Sequence, residues 1–529
     1  MDLRVRIRSR RSSEKEDQSP FPHSTTAAVA ATTGGQGRGD EEEEEREGEE
    51  EMDEEQPLSP AARLFVQRNF DCHVIAILGL GRPIDVATSI SALGLTLGKH
   101  PRFCSIMDES GSGAPKWIRT KVCIPDHIVM PPLEEGKELP PDFVEAYVGK
   151  ITGIPLDKSK PLWELHLLNG KTQDAEATAV LKVHHSLGDG ISLLSLLLAC
   201  TRKVSDPESL PTIPRPRRRG SERKQGLLSF LAGLWLLLQV MWYSFIDCFL
   251  LMATALFYKD TNNPIKGSKG MQSRPKLIVH STLSLDDIKL VKHAVSGTVN
   301  DVMLGLATAG LVRYMNRRYA KTNGVDDERP SIPSNIRVRT TLLFNTRETP
   351  GLHELAEMMK GNGNVKWGNK LGYMIIPIPM KMHKDPMDYV REAKAIADRK
   401  KMSLEAYFSY YGGLLIAKLF GFKLATAMCH NILANTTFSF STVIGPTEEV
   451  EFFGNPIVYI APTVYGHPHA LTIHFQSYVN KVKLVISVDE ESVPDPRQLC
   501  IDIEECLAKI KNSLNKKIGD KIEILSTQK

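Results

Sequence analysis

The sequence lacks the cysteine patterns that organise small secreted domains and structural zinc sites. Its 529 residues include eight cysteines, which are scattered along the chain and form no CxxC pair. A disulfide scaffold needs a dense framework of cysteines, and a structural zinc site needs four closely spaced ligands. The cysteine pattern disfavours both classes and is typical of a reducing compartment.

Signatures for nucleotides and nucleic acids are missing as well. No GxxxxGK[ST] loop occurs, and Gly79-Leu80-Gly81 has Ile84 where a dinucleotide fingerprint has its third glycine. We therefore predict a turn at 79–81. The formal net charge is only +3, and no zinc knuckle, basic recognition helix or basic-aromatic array accompanies it. Nucleic acid is not an expected partner.

The first 56 residues contain little apolar material. The run from Asp40 to Glu55 is almost wholly acidic, and such a segment cannot bury enough apolar surface to offset its ordering entropy. No apolar stretch follows the basic start, and Glu14 and Glu16 fit poorly with a transit peptide. We predict a disordered tail at 1–56 that the mature chain keeps.

The rest of the chain has an ordinary globular composition, with 42% hydrophobic and 24% charged residues. Its length exceeds what one hydrophobic core usually organises. We expect one folded region at 57–213 and a second at 276–515, joined by 214–275, with a tail at 516–529. Strand and helix patterns alternate in both regions, which predicts an α/β or α+β fold.

The longest apolar run begins at Gly226 and ends at Tyr258, directly after a proline-rich segment with a basic cluster. It exceeds the roughly 20 apolar residues that cross a bilayer. Aromatic residues such as Trp235 and Trp242, with basic residues on both sides, favour membrane contact over a buried core helix. A single crossing, however, would place the two folded regions on opposite sides.

One residue inside this run constrains how it meets the membrane. Asp247 would cost about 2.5 to 3.5 kcal/mol at the centre of a bilayer. Gln239, Tyr243 and Asp247 are four residues apart and share one helical face, which suits an in-plane helix or a contact with the protein body. We predict a monotopic, embedded or re-entrant element.

The most informative motif is His184-His185-Ser186-Leu187-Gly188-Asp189-Gly190. A strand predicted at 178–185 precedes it, so the two histidines must point to opposite faces, and only one can serve a given site. A helix is predicted at 191–200. The motif therefore lies between a strand end and a helix start, where ligands often bind in α/β folds.

Two other interpretations of the motif find little support. His185 and Asp189 could ligate a metal, but no third or fourth ligand is spaced nearby, so we expect no metal. Ser186 is not in a GxSxG context, so a hydrolase nucleophile elbow is absent.

The heptapeptide resembles the HHxxxDG signature of the CoA-dependent acyltransferases, whose two-domain fold is shared by chloramphenicol acetyltransferase, plant BAHD enzymes and non-ribosomal condensation domains. Other short motifs resemble the wax ester synthase/diacylglycerol acyltransferase family, in its plant branch. These motifs are Pro57-Leu58-Ser59-Pro60, Pro161-Leu162-Trp163-Glu164, Asn300-Asp301, Asn345-Thr346-Arg347, Gly368-Asn369 and Ser441-Thr442-Val443-Ile444-Gly445-Pro446. The resemblance spans about 57–515, and the DFGWG element of BAHD enzymes is absent.

The resemblance implies a role for each motif residue. His185 is the expected general base, because a neutral imidazole can take the proton of an attacking alcohol. Asp189 is expected to hold the loop through a salt bridge, and His184 to serve in packing. Asn300 is a candidate oxyanion donor, with a helix-start role as the alternative. No cofactor is implied, since acyl-CoA is a co-substrate.

Two further features have structural explanations. Trp163 could line an acyl tunnel, but a core position is favoured. His467 and His469 are predicted in a hairpin loop and His474 on a strand. These positions are favoured over a cluster of histidines at one site.

The resemblance implies a chloramphenicol-acetyltransferase-like fold with an apolar membrane-associating insertion, and acyl transfer from acyl-CoA. Long-chain alcohols, giving wax esters, and diacylglycerol, giving triacylglycerol, are the expected acceptors. The expected location is the cytosolic face of the endoplasmic reticulum membrane, with the plasma membrane as a second. Two alternatives stay open: a BAHD-like O-acyltransferase of soluble secondary metabolites, and a non-catalytic lipid-binding protein of the same fold.

Overall fold

The structure is a computed structural model that describes residues 55–67, 70–110, 114–133, 137–214, 227–346, 351–360 and 367–527. The expectations for the tail before residue 55, for the basic cluster at 215–224, and for Gly226 and Arg347 fall outside these residues.

The strands are β1 (Gln56–Pro57), β2 (His73–Leu80), β3 (Ser105–Asp108), β4 (Lys116–Arg119), β5 (Ile128–Val129), β6 (Trp163–Leu168), β7 (Ala177–His184), β8 (Arg202–Lys203), β9 (Leu277–Ser284), β10 (Arg339–Asn345), β11 (Leu371–Pro377), β12 (Phe438–Val443), β13 (Val450–Phe452), β14 (Asn455–Tyr465), β15 (Leu471–Tyr478) and β16 (Lys481–Val488). The α-helices are α1 (Pro60–Phe65), α2 (Val86–Leu95), α3 (Phe143–Thr152), α4 (Gly190–Ala199), α5 (Leu227–Leu256), α6 (Leu285–Ala294), α7 (Val299–Asn323), α8 (Leu352–Met359), α9 (Met387–Lys401), α10 (Glu405–Phe420), α11 (Phe422–Ala434) and α12 (Pro496–Thr527).

The N-terminal half is built on a seven-stranded sheet in the order β5-β6-β7-β2-β14-β13-β8. Its centre is β2, which pairs antiparallel with β7 on one side and with β14 on the other. The folded regions expected from the sequence, 57–213 and 276–515, would place β13 and β14 in the second region. The structure corrects this division, because both strands cross over and complete the sheet of the first region.

The C-terminal half contains a six-stranded mixed sheet in the order β11-β10-β12-β15-β16-β9. Alternation along β15 separates its two faces: Ile473 and Phe475 pack into an apolar core with α7, whereas Thr472, His474 and Gln476 point the other way. Val485, which pairs with His474, clusters with Ile75 of β2. The polar face of this sheet is therefore turned towards the N-terminal half.

The class expected from the sequence, mixed α/β with two sheet-based halves, is confirmed, and the apolar run from His73 to Leu80, which predicts a short strand, forms β2. The turn predicted at 79–81 is wrong, since Gly79 lies inside β2. A Cβ on Gly79 would lie 2.2 Å from the Tyr459 ring, so the glycine is needed for close cross-strand packing. In the stretch predicted as a tail at 516–529, α12 continues to Thr527.

The long apolar helix α5 is partly built into the C-terminal half. Asp247 is buried and forms ion pairs with Arg399 at 2.9 Å and with Lys400 at 3.1 Å. The Arg399 guanidinium also lies over the Tyr243 ring. The polar helical face identified in the sequence thus contacts the protein body, as one of its two interpretations expected. Ser229–Leu256 is long and apolar enough to cross a membrane.

Candidate active site

The HHxxxDG loop connects β7 to α4 by a helix cap. Asp189 is buried, and its carboxylate accepts hydrogen bonds from the backbone N–H of Ser192 at 2.8 Å and from the Ser192 hydroxyl at 2.6 Å. The positive end of the helix dipole also stabilises a carboxylate at this position. Asp189 therefore braces the loop as the start of α4, and the salt bridge implied by the family resemblance stays a prediction.

His185 is buried at the end of β7. Its backbone N–H donates to the Cys72 carbonyl at 2.8 Å, and its ring stacks on Phe65 with the centroids 4.2 Å apart. Within the described part of the chain, its Nδ1 atom has no hydrogen-bond partner. Burial lowers the pKa of His185 to about 4, more than the nearby Asp189 charge raises it. The imidazole is thus neutral at physiological pH.

A loop from the C-terminal half clamps the motif from outside. Trp367 Nε1 donates to the Leu187 carbonyl at 2.6 Å, and Asn369 Nδ2 donates to the His185 carbonyl at 2.8 Å. A Cβ on Gly188 would lie 3.0 Å from the Trp367 ring, so the glycine allows this close approach. The Gly368-Asn369 motif noted in the sequence therefore fixes the backbone at His185.

His184 points to the opposite face, as the strand alternation predicts, but it does more than pack. Its Nε2 lies 2.9 Å from Asp71 Oδ1, and its Nδ1 lies 2.6 Å from Ser186 Oγ. A carboxylate can only accept, so Nε2 carries the hydrogen and Nδ1 accepts from Ser186. This chain of hydrogen bonds engages Ser186 and ties the motif to the start of β2.

Asp71, His73 and His184 are also a three-residue group of potential metal ligands. Their ligand atoms all lie within 4.8 Å of one another. Sequence spacing could not show this group, because Asp71 and His184 are 113 residues apart. The hydrogen bonds to Asp71 and Ser186 already account for both nitrogens of His184, and the expected absence of metal stays a prediction.

Asn300 lies at the start of α7. Its side chain is exposed on the first turn of α7, where Thr298 and Asp301 form a capping box and Asp301 pairs with Lys401 at 3.3 Å. The contacts described for this turn do not reach the His185 loop. Thr298 and Asp301 are the capping residues of α7, and the oxyanion role of Asn300 stays a prediction.

His474 lies on β15 as predicted, and His467 and His469 lie in the loop before it, but the predicted hairpin is wrong because β14 and β15 belong to different sheets. All three histidines are buried. Burial lowers the pKa of His467, and the charges of neighbouring groups, His474 and His185 among them, lower it further. His467 is thus close enough to His185 for their charges to interact, and His474 faces the N-terminal half from β15. Sequence spacing did not predict this proximity, although the alternating polar residues along β15 indicate a polar inner face.

Other buried polar groups share this inner face of the C-terminal sheet. Thr341 Oγ1, His474 Nε2 and Gln476 Oε1 have no hydrogen-bond partner among the described residues. Buried polar atoms are normally paired. Donors and acceptors are thus available between the halves, on the side where His467 approaches His185.

An apolar cavity lies away from the motif. Its volume is about 350 Å³, and it lies within the N-terminal half between the sheet and helices α2 and α4. None of residues 184–190 lines it; its polar lining residues include Arg82 and Asn455, at the end of β2 opposite to His185. Trp163 is a core residue as predicted, donating from Nε1 to the Phe103 carbonyl at 3.0 Å.

Comparisons with known proteins cover most of the chain. A family model described as "Wax ester synthase/diacylglycerol acyltransferase catalytic domain" matches residues 140–303, and one described as "WS/DGAT C-terminal domain" matches residues 367–511. Wax ester synthase/diacylglycerol acyltransferase 11 of Arabidopsis thaliana is 44% identical over 466 residues, which cover 87% of this chain and 96% of that protein. Wax ester synthase/diacylglycerol acyltransferase 5 of the same plant is 45% identical over 476 residues, which cover 87% of this chain and 94% of that protein.

Solved structures share the fold at low identity. The wax ester synthase/diacylglycerol acyltransferase from Marinobacter aquaeolei VT8 superposes with a TM-score of 0.55 at 17% identity, covering 87% of this chain and 100% of that one. The TRI3 trichothecene 15-O-acetyltransferase from Fusarium sporotrichioides gives 0.54 at 14% identity, covering 86% and 95%. The two-domain acyltransferase architecture expected from the motif is confirmed.

Proposed function

Because the chain belongs to the wax ester synthase/diacylglycerol acyltransferase family, we propose that His185 is the general base of an acyl transfer from acyl-CoA to a lipid alcohol. The chain is an acyl-CoA-dependent acyltransferase of this family. Its proposed acceptors are long-chain alcohols and diacylglycerol. One observation carries the proposal: a buried, neutral imidazole whose backbone is held by the C-terminal half through Asn369.

The proposed reaction is a direct transfer. The acceptor oxygen attacks the thioester carbonyl as His185 takes the hydroxyl proton; the new C–O bond forms, and the C–S bond then breaks. The imidazolium returns the proton to the leaving CoA thiolate, so no acyl-enzyme is needed. A low pKa suits the second step, because such an imidazolium is a stronger acid than in water.

The test uses purified full-length protein with radiolabelled palmitoyl-CoA and hexadecanol. His185→Ala should lower ester formation by about two to four orders of magnitude. His293→Ala, which removes an exposed histidine on α6, is the matched control and should stay active. Undiminished ester formation by His185→Ala would show that another group is the base.

An acceptor panel tests the substrate class. Primary alcohols, diacylglycerol and phenolic acceptors are compared with the same acyl donor. The lipid acceptors should be used, since the exposed apolar surface of α5 would place the enzyme where they partition. Exclusive use of phenolic acceptors would favour the soluble-metabolite alternative, and no transfer at all would favour a lipid-binding protein.

The proposed location is the cytosolic face of the endoplasmic reticulum membrane. Trp235 and Trp242 on α5 are 64% and 61% exposed, as suits interfacial aromatics. Thr212 before the helix bonds to Glu448, and Asp260 after it bonds to Asn435. The chain thus leaves and re-enters one body, which supports an embedded helix over a single crossing. Microscopy of the tagged protein and carbonate washing of membranes test this.

A further inference from the structure

A second apolar surface lies on the helical hairpin formed by α10 and α11. At its tip, Leu419 and Phe420 are 63% and 68% exposed. Gly421, at φ 86°, makes the turn between the helices. The exposed Lys418 and Lys423 flank this turn, and no acidic residue lies between them. Two large apolar side chains in water between two lysines are unusual for a purely aqueous surface.

The outward face of α10 continues from this tip. Its exposed apolar residues are Leu404, Tyr407, Phe408, Tyr411, Leu415 and Leu419. Their spacing of three or four residues puts them on one helical face, here called the apolar stripe. A helix of a water-soluble protein turns such a stripe towards its core. In α10 the stripe faces outward instead.

The inward face of α10 explains this orientation. Glu405 accepts the Ile375 N–H at 3.0 Å, and the Ser409 hydroxyl accepts the Tyr373 N–H at 2.7 Å. A Cβ on Gly372 would lie 2.0 Å from the Ala406 carbonyl. The polar and small face of α10 thus covers β11, the edge strand of the C-terminal sheet, and the stripe has to face away.

The stripe is continuous with the exposed surface of α5. Ser244 Oγ on α5 accepts the Leu404 N–H at 2.9 Å, and Asn431 on α11 donates to the Ala255 carbonyl at 3.1 Å. The hairpin therefore packs beside α5, whose outward residues are also large and apolar. The three helices therefore lie side by side, and each exposes large apolar residues, as surfaces that bind a partner or a membrane do.

We propose that the α10–α11 hairpin is a second membrane-binding element, an inference that rests on the proposed lipid-linked function. Leu419 and Phe420 insert among the acyl chains, the stripe lies in the interface, and Lys418 and Lys423 contact anionic headgroups. A bilayer fits this surface better than a second copy of the chain does, because a two-fold interface at the tip would bring like charges together.

The hairpin also lies on a direct path to His185. Leu433 of α11 packs with Phe65 and Tyr373 in one apolar cluster, and Phe65 stacks on His185. At the outer end of the same path, Arg63 of α1 lies over the Phe422 ring at 4.9 Å. Docking this hairpin on a bilayer would bring lipid acceptors to the face of the protein nearest to the base.

The experiment measures partition of the full-length protein onto vesicles made of four parts phosphatidylcholine to one part phosphatidylserine. Leu419→Glu/Phe420→Glu should weaken partition at least about tenfold, because it replaces the inserted side chains with charges. The matched control is Leu95→Glu/Val325→Glu, which changes two exposed aliphatic residues outside the surface. It should bind like the wild type, and both variants should keep the wild-type melting temperature.

A second variant separates charge from insertion. Lys418→Gln/Lys423→Gln should weaken binding to the anionic vesicles but not to pure phosphatidylcholine, and added salt should abolish the difference. Unchanged partition of the Leu419/Phe420 variant would overturn the proposal. A change in its sedimentation, with vesicle binding unchanged, would instead assign the surface to contacts between copies of the chain.

The catalytic proposal is tested independently of the proposal on membrane binding. His185→Ala should bind vesicles like the wild type, whereas the Leu419/Phe420 variant should keep full transfer activity on substrates dispersed in detergent. Loss of that activity in the tip variant would place the hairpin in the active site and count against a membrane-only role. Activity retained by His185→Ala would refute the role of His185 as the general base. It would leave the proposal on membrane binding unaffected.

Discussion

At the scale of single residues, the environment of His185 decides its chemistry. Burial lowers its pKa to about 4, while the stacked Phe65 ring and the bonds to its backbone fix its position. His184, adjacent in sequence, is engaged by Asp71 and Ser186 instead. Neighbouring residues of one motif therefore have different roles, because a strand turns them to opposite faces.

The pH dependence of the reaction follows from this pKa. A protonated imidazole cannot accept the acceptor's proton, so activity requires the neutral form. With a pKa of about 4, kcat/KM should stay level from pH 7 down to about 5 and fall below that. Initial rates measured across this pH range give the midpoint of the fall in kcat/KM. A midpoint near the ordinary histidine value of about 6.5 would contradict the buried geometry.

Asn369 is expected to position the base without touching substrate. Asn369→Ala removes the hydrogen bond to the His185 carbonyl, and an unsatisfied buried carbonyl costs about 1 to 3 kcal/mol. We expect kcat to fall with a smaller change in KM, measured by steady-state kinetics. Asn335→Ala, at an exposed asparagine, should change neither. Equal losses in that control would point to a nonspecific effect.

At the scale of elements, α5 illustrates how an apolar helix is attached to a folded body. Its last turn is held by side chains of the C-terminal half: Arg339 bonds to Thr254 and Tyr258, and Asn435 bonds to the Thr254 carbonyl. Arg399 and Lys400 neutralise Asp247. Only the outward face of α5 is left for lipid.

Removing Asp247 should therefore destabilise the protein body. Asp247→Ala leaves the buried Lys400 with Glu405 as its remaining partner, and breaking a buried ion pair typically costs about 3 to 5 kcal/mol. Denaturant unfolding in detergent measures the loss, which the partial exposure of Arg399 reduces. Asp388→Ala breaks the exposed pair with Arg391 and should cost at most about 1 kcal/mol. Equal stability of the two variants would refute the docking role.

At the scale of the whole molecule, many histidines are buried near the contact between the two sheets. Burial lowers the pKa values of His73 and His469 to about 3, and those of His185, His280 and His474 to about 4. In the unfolded chain these groups titrate near 6.5. Acid therefore favours unfolding.

The direction of this change in stability with pH follows from proton uptake. Between about pH 6.5 and 4 the unfolded chain binds more protons than the folded one, so the free energy of unfolding falls as pH falls. Glu405, whose pKa burial raises to about 7, and Glu145, whose pKa burial also raises, act in the opposite direction, but they are two groups against these five histidines. The melting temperature should drop clearly between pH 7.5 and 5. An unchanged melting temperature would show that these histidines are solvated or already charged.

Local sequence determined the elements and part of the site. The apolar run from His73 to Leu80 predicts β2, and alternation sends His185 and His184 to opposite faces. Ser284 stands before Leu285-Asp286-Asp287 as a helix cap does, and its side chain caps α6. The family motifs indicated the fold and the acyl transfer. Such features depend on residues within one or two turns of each other, so periodicity and capping patterns suffice to predict them.

Tertiary structure decided the rest. It placed β14 in the N-terminal sheet, brought Asn369 to the His185 loop, and turned the apolar stripe of α10 outward. Each of these depends on which faces meet, and the meeting surfaces come from residues far apart in the chain. A pattern of apolar and polar residues defines a face but not the surface that will cover it.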